Sequence, residues 1–207
     1  MNNSKILLLA ILLVWSSAGS CTDRRNLQEC DLTTMVRKVA GSGKDNMQRL
    51  IVDDNDNVYV MANTFSEEIS HGTRDGLIMK VTKSGSSIWS KFFGAEDEDF
   101  FVKLAVRSDQ LLISGKTNSP SMSSGDFDIL ALKLNATDGS KMWVKTFGGS
   151  GTEDQRSLVA DDYYMYLGCW TNTPSYSNGD KDWLMMKLKI SDGAMMWSKY
   201  YGTALED

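Results

Sequence analysis

Hydrophobic positions along the chain fall into short runs, separated by polar turns rich in Gly, Ser, Asn and Asp. Within many runs, apolar and polar residues alternate with the period of a strand, and no stretch sustains a helical period. The runs come in three groups of four. The first group is Gln48–Val52, Val58–Thr64, Leu77–Val81 and Ser87–Phe93. The second is Phe101–Val106, Leu111–Thr117, Ile129–Leu134 and Lys141–Phe147. The third is Arg156–Ala160, Tyr163–Thr171, Trp183–Ile190 and Ala194–Tyr200. Turns between first and second runs are short and polar, such as Asp53-Asp54-Asn55-Asp56-Asn57, and those between third and fourth runs hold Gly85, Gly139 or Gly193. Such turns suit antiparallel hairpins. The pattern predicts an all-β protein.

The grouping is a sequence repeat. Trp89, Trp143 and Trp197 stand 54 residues apart, each inside a related motif: Trp89-Ser-Lys-Phe-Phe-Gly94, Trp143-Val-Lys-Thr-Phe-Gly148 and Trp197-Ser-Lys-Tyr-Tyr-Gly202. Lys38-Val-Ala-Gly41 is a weakened earlier copy. Asp75, Asp128 and Asp182 each open a second shared segment just ahead of the third run, and Thr64, Thr117 and Thr171 each close the second run. Three features in one register make a repeat the organising unit. In the third run Leu130, Leu132 and Leu134 point one way while Ile129 and Ala131 point the other, and both sets are apolar. The sheet must therefore be covered on both faces. Four-stranded antiparallel blades stacked around an axis do this, with the repeated Trp wedged between neighbours. The expected fold is β-propeller blades: three complete repeats and the start of a fourth.

The residues also carry a family likeness. Gly41-Ser-Gly-Lys-Asp45, Leu50-Ile-Val-Asp53 and Asn57-Val-Tyr-Val60 resemble the repeat of secreted bacterial seven-bladed β-propellers, and Gly148-Gly-Ser-Gly-Thr-Glu-Asp154 resembles its Gly-rich start. Lys133-Leu-Asn-Ala-Thr-Asp-Gly139 with Trp143 resembles the tryptophan motif of quinoprotein-like propellers. The likeness spans roughly residues 38 to 207 and implies blades at about 38–93, 94–147 and 148–201, a fourth beginning at Gly202. It implies little about activity, because propellers host many. Propellers typically close with four to eight blades. Three repeats are therefore expected to belong to a longer product or to assemble into a ring, the remaining alternative being a soluble three-blade arc; open end blades would leave apolar faces for self-association.

The one long apolar run, Ile6–Trp15, follows Lys5 and precedes the small residues Ser16 to Ser20. A membrane-spanning helix needs about 20 apolar residues, so this run predicts a signal peptide over residues 1–20 and a secreted, extracellular product. Residues 21–37 would form a linker or cap. Cys21 would then be the first mature residue, with two readings: lipidation behind Ala18-Gly19-Ser20, or a disulfide to Cys30. Cys169 falls in an apolar strand where the other repeats carry Ala62 and Gly115, and it reads as a small buried thiol.

Twenty-two Lys+Arg against 27 Asp+Glu give a net charge of −5. With no basic run, nucleic acid is not an expected partner. Acidic residues gather in the loops of one end: Glu96-Asp-Glu-Asp99, Glu153-Asp154, and the long loops 65–74, 118–127 and 172–181. That end is the expected surface for a protein or carbohydrate partner. Asp75, Asp128 and Asp182, like Gly94, Gly148 and Gly202, recur once per repeat. Recurrence argues for a structural role, because a catalytic constellation has no reason to repeat. Asp53–Asn57 begins like a calcium loop, but Val58 stands where that loop needs Gly, so a hairpin turn is expected and no metal site. His71 reads as a loop surface residue and Asn135-Ala136-Thr137 as a glycosylation sequon. No catalytic residues or cofactor are assigned. The expectation is a secreted, non-catalytic binding or scaffolding module; the alternative is a fragment of a quinoprotein-like or lyase-type propeller enzyme.

Overall fold

The computed structural model describes residues 42–67, 70–177 and 181–203. The expected signal peptide, the 21–37 cap with Cys21 and Cys30, Lys38–Gly41, and the continuation of the fourth repeat after Thr203 lie outside the described residues. Twelve strands account for the regular structure: β1 (Asp45–Val52), β2 (Val58–Thr64), β3 (Asp75–Val81), β4 (Ser87–Phe93), β5 (Asp99–Arg107), β6 (Gln110–Thr117), β7 (Asp128–Asn135), β8 (Lys141–Phe147), β9 (Glu153–Ala160), β10 (Tyr164–Thr171), β11 (Asp182–Lys189) and β12 (Met195–Tyr201). Among the described residues there is no helix.

The strands form three four-stranded antiparallel sheets, each a meander in chain order: β1–β4, β5–β8 and β9–β12. The hairpins explain the order. Gly85, Gly139 and Gly193 turn the third strand into the fourth at φ of 80°, 72° and 73°, a left-handed conformation that glycine adopts without a Cβ clash. Asp53 closes the first turn of sheet 1, its Oδ1 accepting the N–H groups of Asn55 and Asn57. Each first strand carries a bulge, at Gln48, Val102 and Arg156, and each fourth strand another, at Ile88, Met142 and Met196. The bulges recur with the repeat and increase local twist.

The sheets pack face to face, and both faces of the middle sheet are covered. Leu130, Leu132 and Leu134 of β7 join Tyr59, Met61 and Ile78 of sheet 1 in one cluster. Ile129 and Ala131, on the opposite face of β7, join Leu184, Met186 and Leu188 of sheet 3 in another. All seven residues of Asp128–Leu134 are buried as a result. Phe101 lies where a Cβ on Gly76 would stand, so its ring closes over the glycine between sheets 1 and 2.

Polar bonds fix the stacking. Trp89 Nε1, Lys80 Nζ and Tyr59 Oη of sheet 1 all donate to the Ala136 carbonyl of sheet 2, at 3.3, 3.3 and 3.2 Å. One repeat later, Trp143 Nε1 and Lys133 Nζ donate to the Ile190 carbonyl of sheet 3, at 3.0 and 3.1 Å. The repeated Trp is thus a half-buried donor reaching into the next sheet's hairpin, and each such bond contributes about 1 kcal/mol. Asn63 adds a two-way bond: its Nδ2 donates to the Phe101 carbonyl and its Oδ1 accepts the Phe101 N–H. At the hairpin end, Arg107 donates to the Ala160 carbonyl.

Candidate functional site on the loop face

The described residues of loops 65–74, 118–127 and 172–181 lie with the 94–98 and 148–152 connections at one end of the sheets, tied together by repeated hydrogen bonds. Asp97 N–H donates to Ser119 Oγ and Glu98 N–H to Asn118 Oδ1. One repeat on, Gly151 N–H donates to Thr173 Oγ1 and Thr152 N–H to Asn172 Oδ1. The threonines closing the second strands accept the N–H two residues ahead: Ser66 to Thr64, Ser119 to Thr117, Thr173 to Thr171. Long polar loops are held this way without a core of their own.

The repeated aspartates do similar work. Asp75 Oδ2 accepts the His71 N–H, and Asp128 Oδ2 accepts the Ser124 N–H at 2.9 Å. The glycines after the fourth strands exist because of them. A Cβ on Gly94, Gly148 or Gly202 would lie 2.0, 2.1 or 1.9 Å from an oxygen of Asp75, Asp128 or Asp182. Asp and Gly therefore recur as a pair.

The acidic connections differ from the sequence expectation. Asp99 and Glu153 are not solvated loop residues; they open β5 and β9 and are 1% and 0% exposed. Asp99 Oδ2 accepts Ala95 N–H and Ser119 Oγ–H, while Glu153 takes Thr171 and Thr173 hydroxyls on Oε1 and Gly149 N–H on Oε2. Each sits beside the aspartate of the preceding sheet. Asp128 Oδ1 and Glu153 Oε2 both lie within 2.3 Å of the point a Gly148 Cβ would occupy. Among the described residues no donor reaches Asp128 Oδ1, Asp75 Oδ1 or Asp99 Oδ1. Burial, and then the neighbouring Glu153 carboxylate, pushes the Asp128 carboxyl above its ordinary value. Burial, with a smaller push from Asp75, does the same to Asp99. A second carboxylate in the same buried pocket disfavours the charged form of Asp128.

The remaining acids of this end are offset by cations on aromatic rings, a feature the sequence reading missed. The Arg74 guanidinium lies between the Phe65 and Phe100 rings, 3.8 and 3.6 Å from their centroids. Lys116 lies 4.5 Å from the Phe127 centroid and pairs with Asp154 at 3.0 Å. Lys181 and Arg156 approach the Trp170 ring. The loop end thus carries a row of cation–aromatic stacks, with Glu96, Asp97 and Asp126 outside it; their carboxylates accept the Ser121, Thr73 and Thr152 hydroxyls. No sequence signal marks them, because Arg74 and Lys116 lie nine or more residues from their ring partners.

The other singled-out residues are accounted for locally. His71 is exposed, its Nδ1 3.4 Å from Asp75 Oδ2. Asn135 ends β7 and its Oδ1 accepts the Thr137 N–H. Cys169 is a free, buried thiol whose Sγ–H donates to the Leu184 carbonyl, and burial pushes it far up. Asp53 Oδ2 faces Lys80 Nζ at 3.5 Å and Tyr59 Oη at 3.3 Å, so this turn spends its acid on the fold. Among the described residues no group of three or more His, Cys, Asp or Glu could hold a metal ion, and no helix is long and apolar enough to cross a membrane.

Comparison with known proteins adds little. No protein-family model and no curated protein matches the chain. Among solved structures, the Bacillus megaterium YpeB C-terminal domain aligns over 78% of this chain and 92% of its own, at 8% identity and a TM-score of 0.20. At that score no fold likeness can be argued.

Proposed function

We propose that the chain is a run of β-propeller blades serving as a secreted, non-catalytic binding or scaffolding module whose ligand, a protein segment or a glycan, is engaged by the loop end. The propeller reading is supported by three meanders of identical strand order stacked face to face, with first strands β1, β5 and β9 as successive neighbours. The export reading rests on the short apolar run Ile6–Trp15. The observation that carries the non-catalytic reading is the repetition of the buried polar groups. Asp75 and Asp128, Thr117 and Thr171, Asp99 and Glu153 recur in register and spend their bonds on loop amides and hydroxyls. What varies between repeats is the outer loop surface, whose described residues are tied by hydrogen bonds before a ligand arrives.

Selection on a glycan array and a displayed peptide library tests this. Ligands selected by the chain should lose at least tenfold in affinity, about 1.4 kcal/mol, toward a Glu96→Gln, Asp97→Asn, Asp126→Asn variant. Ligands indifferent to all three substitutions would overturn the placement. Saturable binding of a quinone cofactor would overturn the non-catalytic reading.

A further inference from the structure

One element of the repeat is broken in sheet 2 and kept on either side of it. In sheet 1 the lysine of the third strand is held by three groups. Lys80 Nζ donates to the Ala136 carbonyl, faces Asp53 Oδ2 at 3.5 Å, and lies 4.9 Å from the centroid of the Tyr59 ring, whose hydroxyl donates to the same Asp53 oxygen. Sheet 3 keeps the same three residue types. Tyr166 Oη donates to Asp161 Oδ2 at 3.1 Å, and Lys187 lies over the Tyr164 and Tyr166 rings, 3.7 and 5.4 Å from their centroids. In sheet 2 the strand register puts Arg107 where Asp53 and Asp161 stand, and Leu112 where Tyr59 and Tyr166 stand. Arg107 donates instead to the Ala160 carbonyl of sheet 3.

Lys133 is therefore left without the acid and the ring that its repeat equivalents face. It is 4% exposed, its Nζ donates to the Ile190 carbonyl at 3.1 Å, and among the described residues no carboxylate lies within ion-pair distance. One neutral acceptor for three N–H donors offsets little of the cost of burying an ammonium ion. Burial pulls this amine below its ordinary value, against a smaller opposing pull from Asp109. The other acids of this end are engaged elsewhere or stand in solvent. Asp161 is occupied by the Tyr163 and Tyr164 N–H groups and the Tyr166 hydroxyl, and Asp192 by the Ala194 N–H, while Asp162 and Lys189 are exposed and of opposite sign. Lys133 also lines a cavity of about 270 Å³ between sheets 2 and 3 at the hairpin end, together with Gln110, Tyr163, Tyr164 and Ser191. Gln110 Oε1 is buried without a donor. An apolar cavity of about 150 Å³ already holds a benzene ring, so a small organic molecule has room beside the amine.

We propose that Lys133 is a covalent attachment site for small aldehydes. The free amine attacks the carbonyl carbon; the C–N bond forms, and the carbonyl oxygen takes up a proton given up by the nitrogen. That hydroxyl then leaves with the second N–H proton as water. The product is an imine, and no oxidant or reductant is needed. Gln110 Oε1 is the acceptor available to the hydroxyl of the addition step. Desolvation in a pocket activates a lysine for this chemistry. The attachment is stoichiometric and independent of what the loop end binds.

Reductive trapping tests it. The folded full chain is treated with propanal and sodium cyanoborohydride, which delivers hydride to the imine and fixes it as a secondary amine. Labelling of each lysine is followed over time by mass spectrometry of peptides. Lys133 should be labelled ahead of Lys80 and Lys187. Two variants at the exposed Arg107 separate the missing counter-ion from folding. Arg107→Asp restores a carboxylate at the position of Asp53 and should slow labelling of Lys133 by about tenfold or more, because an opposite charge at that range favours the charged amine by such a factor. Arg107→Ala loses the same bond to Ala160 and should label like wild type, with circular dichroism unchanged in both. Lys133 labelled no faster than Lys80 would overturn the proposal. So would an Arg107→Asp chain labelled like wild type, and so would equal slowing in Arg107→Ala.

Discussion

Asp128 is the most informative position for a single conservative change. Its Oδ2 is bonded to the Ser124 N–H, while its Oδ1 is buried without a donor and converges with Glu153 Oε2 on Gly148. Asp128→Asn keeps the shape, lets the amide oxygen accept from Ser124, and puts an N–H₂ where the orphan oxygen stands. A buried polar atom without a partner costs about 1–3 kcal/mol. Supplying the donor and removing one of two adjacent buried charges should stabilise the fold by about 1–2 kcal/mol at pH 8, or about 3–6 °C in melting temperature for a domain of this size. The pH dependence has a definite sign. A carboxyl raised in the folded state binds its proton more tightly there than in the unfolded chain. Its contribution is complete below the unfolded value and is lost as pH rises toward the folded one. Stability of the wild type should therefore fall as pH rises above the ordinary carboxylate range, from both Asp128 and Asp99, and the Asn variant should show a shallower fall. Asp138 and Asp161 do not confuse this window. N–H donation from Ser140 and from Tyr163 and Tyr164 holds them below their ordinary value, so they act only as pH falls below about 4. The assay is urea unfolding across pH 5 to 9, read by tryptophan fluorescence. An Asn variant less stable than wild type at pH 8, or one with an unchanged slope against pH, would refute this account of the acid pocket.

Gly148→Ala should cost about 3 kcal/mol or more, since its Cβ meets the Asp128 and Glu153 oxygens at 2.1 and 2.3 Å; Gly85→Ala, with open space but φ of 80°, should cost only about 1 kcal/mol in the same melts. Trp143→Ala should cost about 3–5 kcal/mol, because it removes ring packing together with the bond to Ile190, whereas Trp197→Ala on the uncovered face should cost less than half as much in dilute solution. Secreted material should begin at Cys21 on N-terminal sequencing; an intact Met1 would contradict export by cleavage, and a fatty-acid label lost on Cys21→Ser would select the lipid anchor over the Cys30 disulfide.

Strand positions were legible wherever alternation reached the strand ends. Val58–Thr64, Ser87–Phe93 and Lys141–Phe147 are the same in sequence pattern and in structure. The first strands begin earlier than hydrophobicity suggests, at Asp45, Asp99 and Glu153. At Asp99 and Glu153 a buried acid collects loop N–H and hydroxyl donors, and composition alone cannot distinguish such an acid from a solvated one. Periodicity could have: Asp45, Asp99, Glu153 and Asp207 are spaced by 54 residues. The bulges at Gln48, Val102 and Arg156 further hide the strand by breaking its alternation. At the loop end the long polar loops could be read, but their cation–aromatic stacks could not, because Arg74, Phe65 and Phe100 come from separate strands and loops. The clamps on Ala136 and Ile190 were equally hidden, since a backbone carbonyl leaves no mark on sequence.

The division of labour between repeated buried carboxylates and variable outer loops is tested most directly by one calorimetric comparison. For any ligand selected by the wild-type chain, its affinity is measured for Asp128→Asn and for the Glu96→Gln, Asp97→Asn, Asp126→Asn variant at one pH and salt concentration. Binding within twofold of wild type for Asp128→Asn, alongside a loss of at least tenfold, about 1.4 kcal/mol, for the loop variant, is the expected result. Loss of binding in a well-folded Asp128→Asn chain, with the loop variant binding normally, would contradict it and move the functional site into the acid pocket at Gly148.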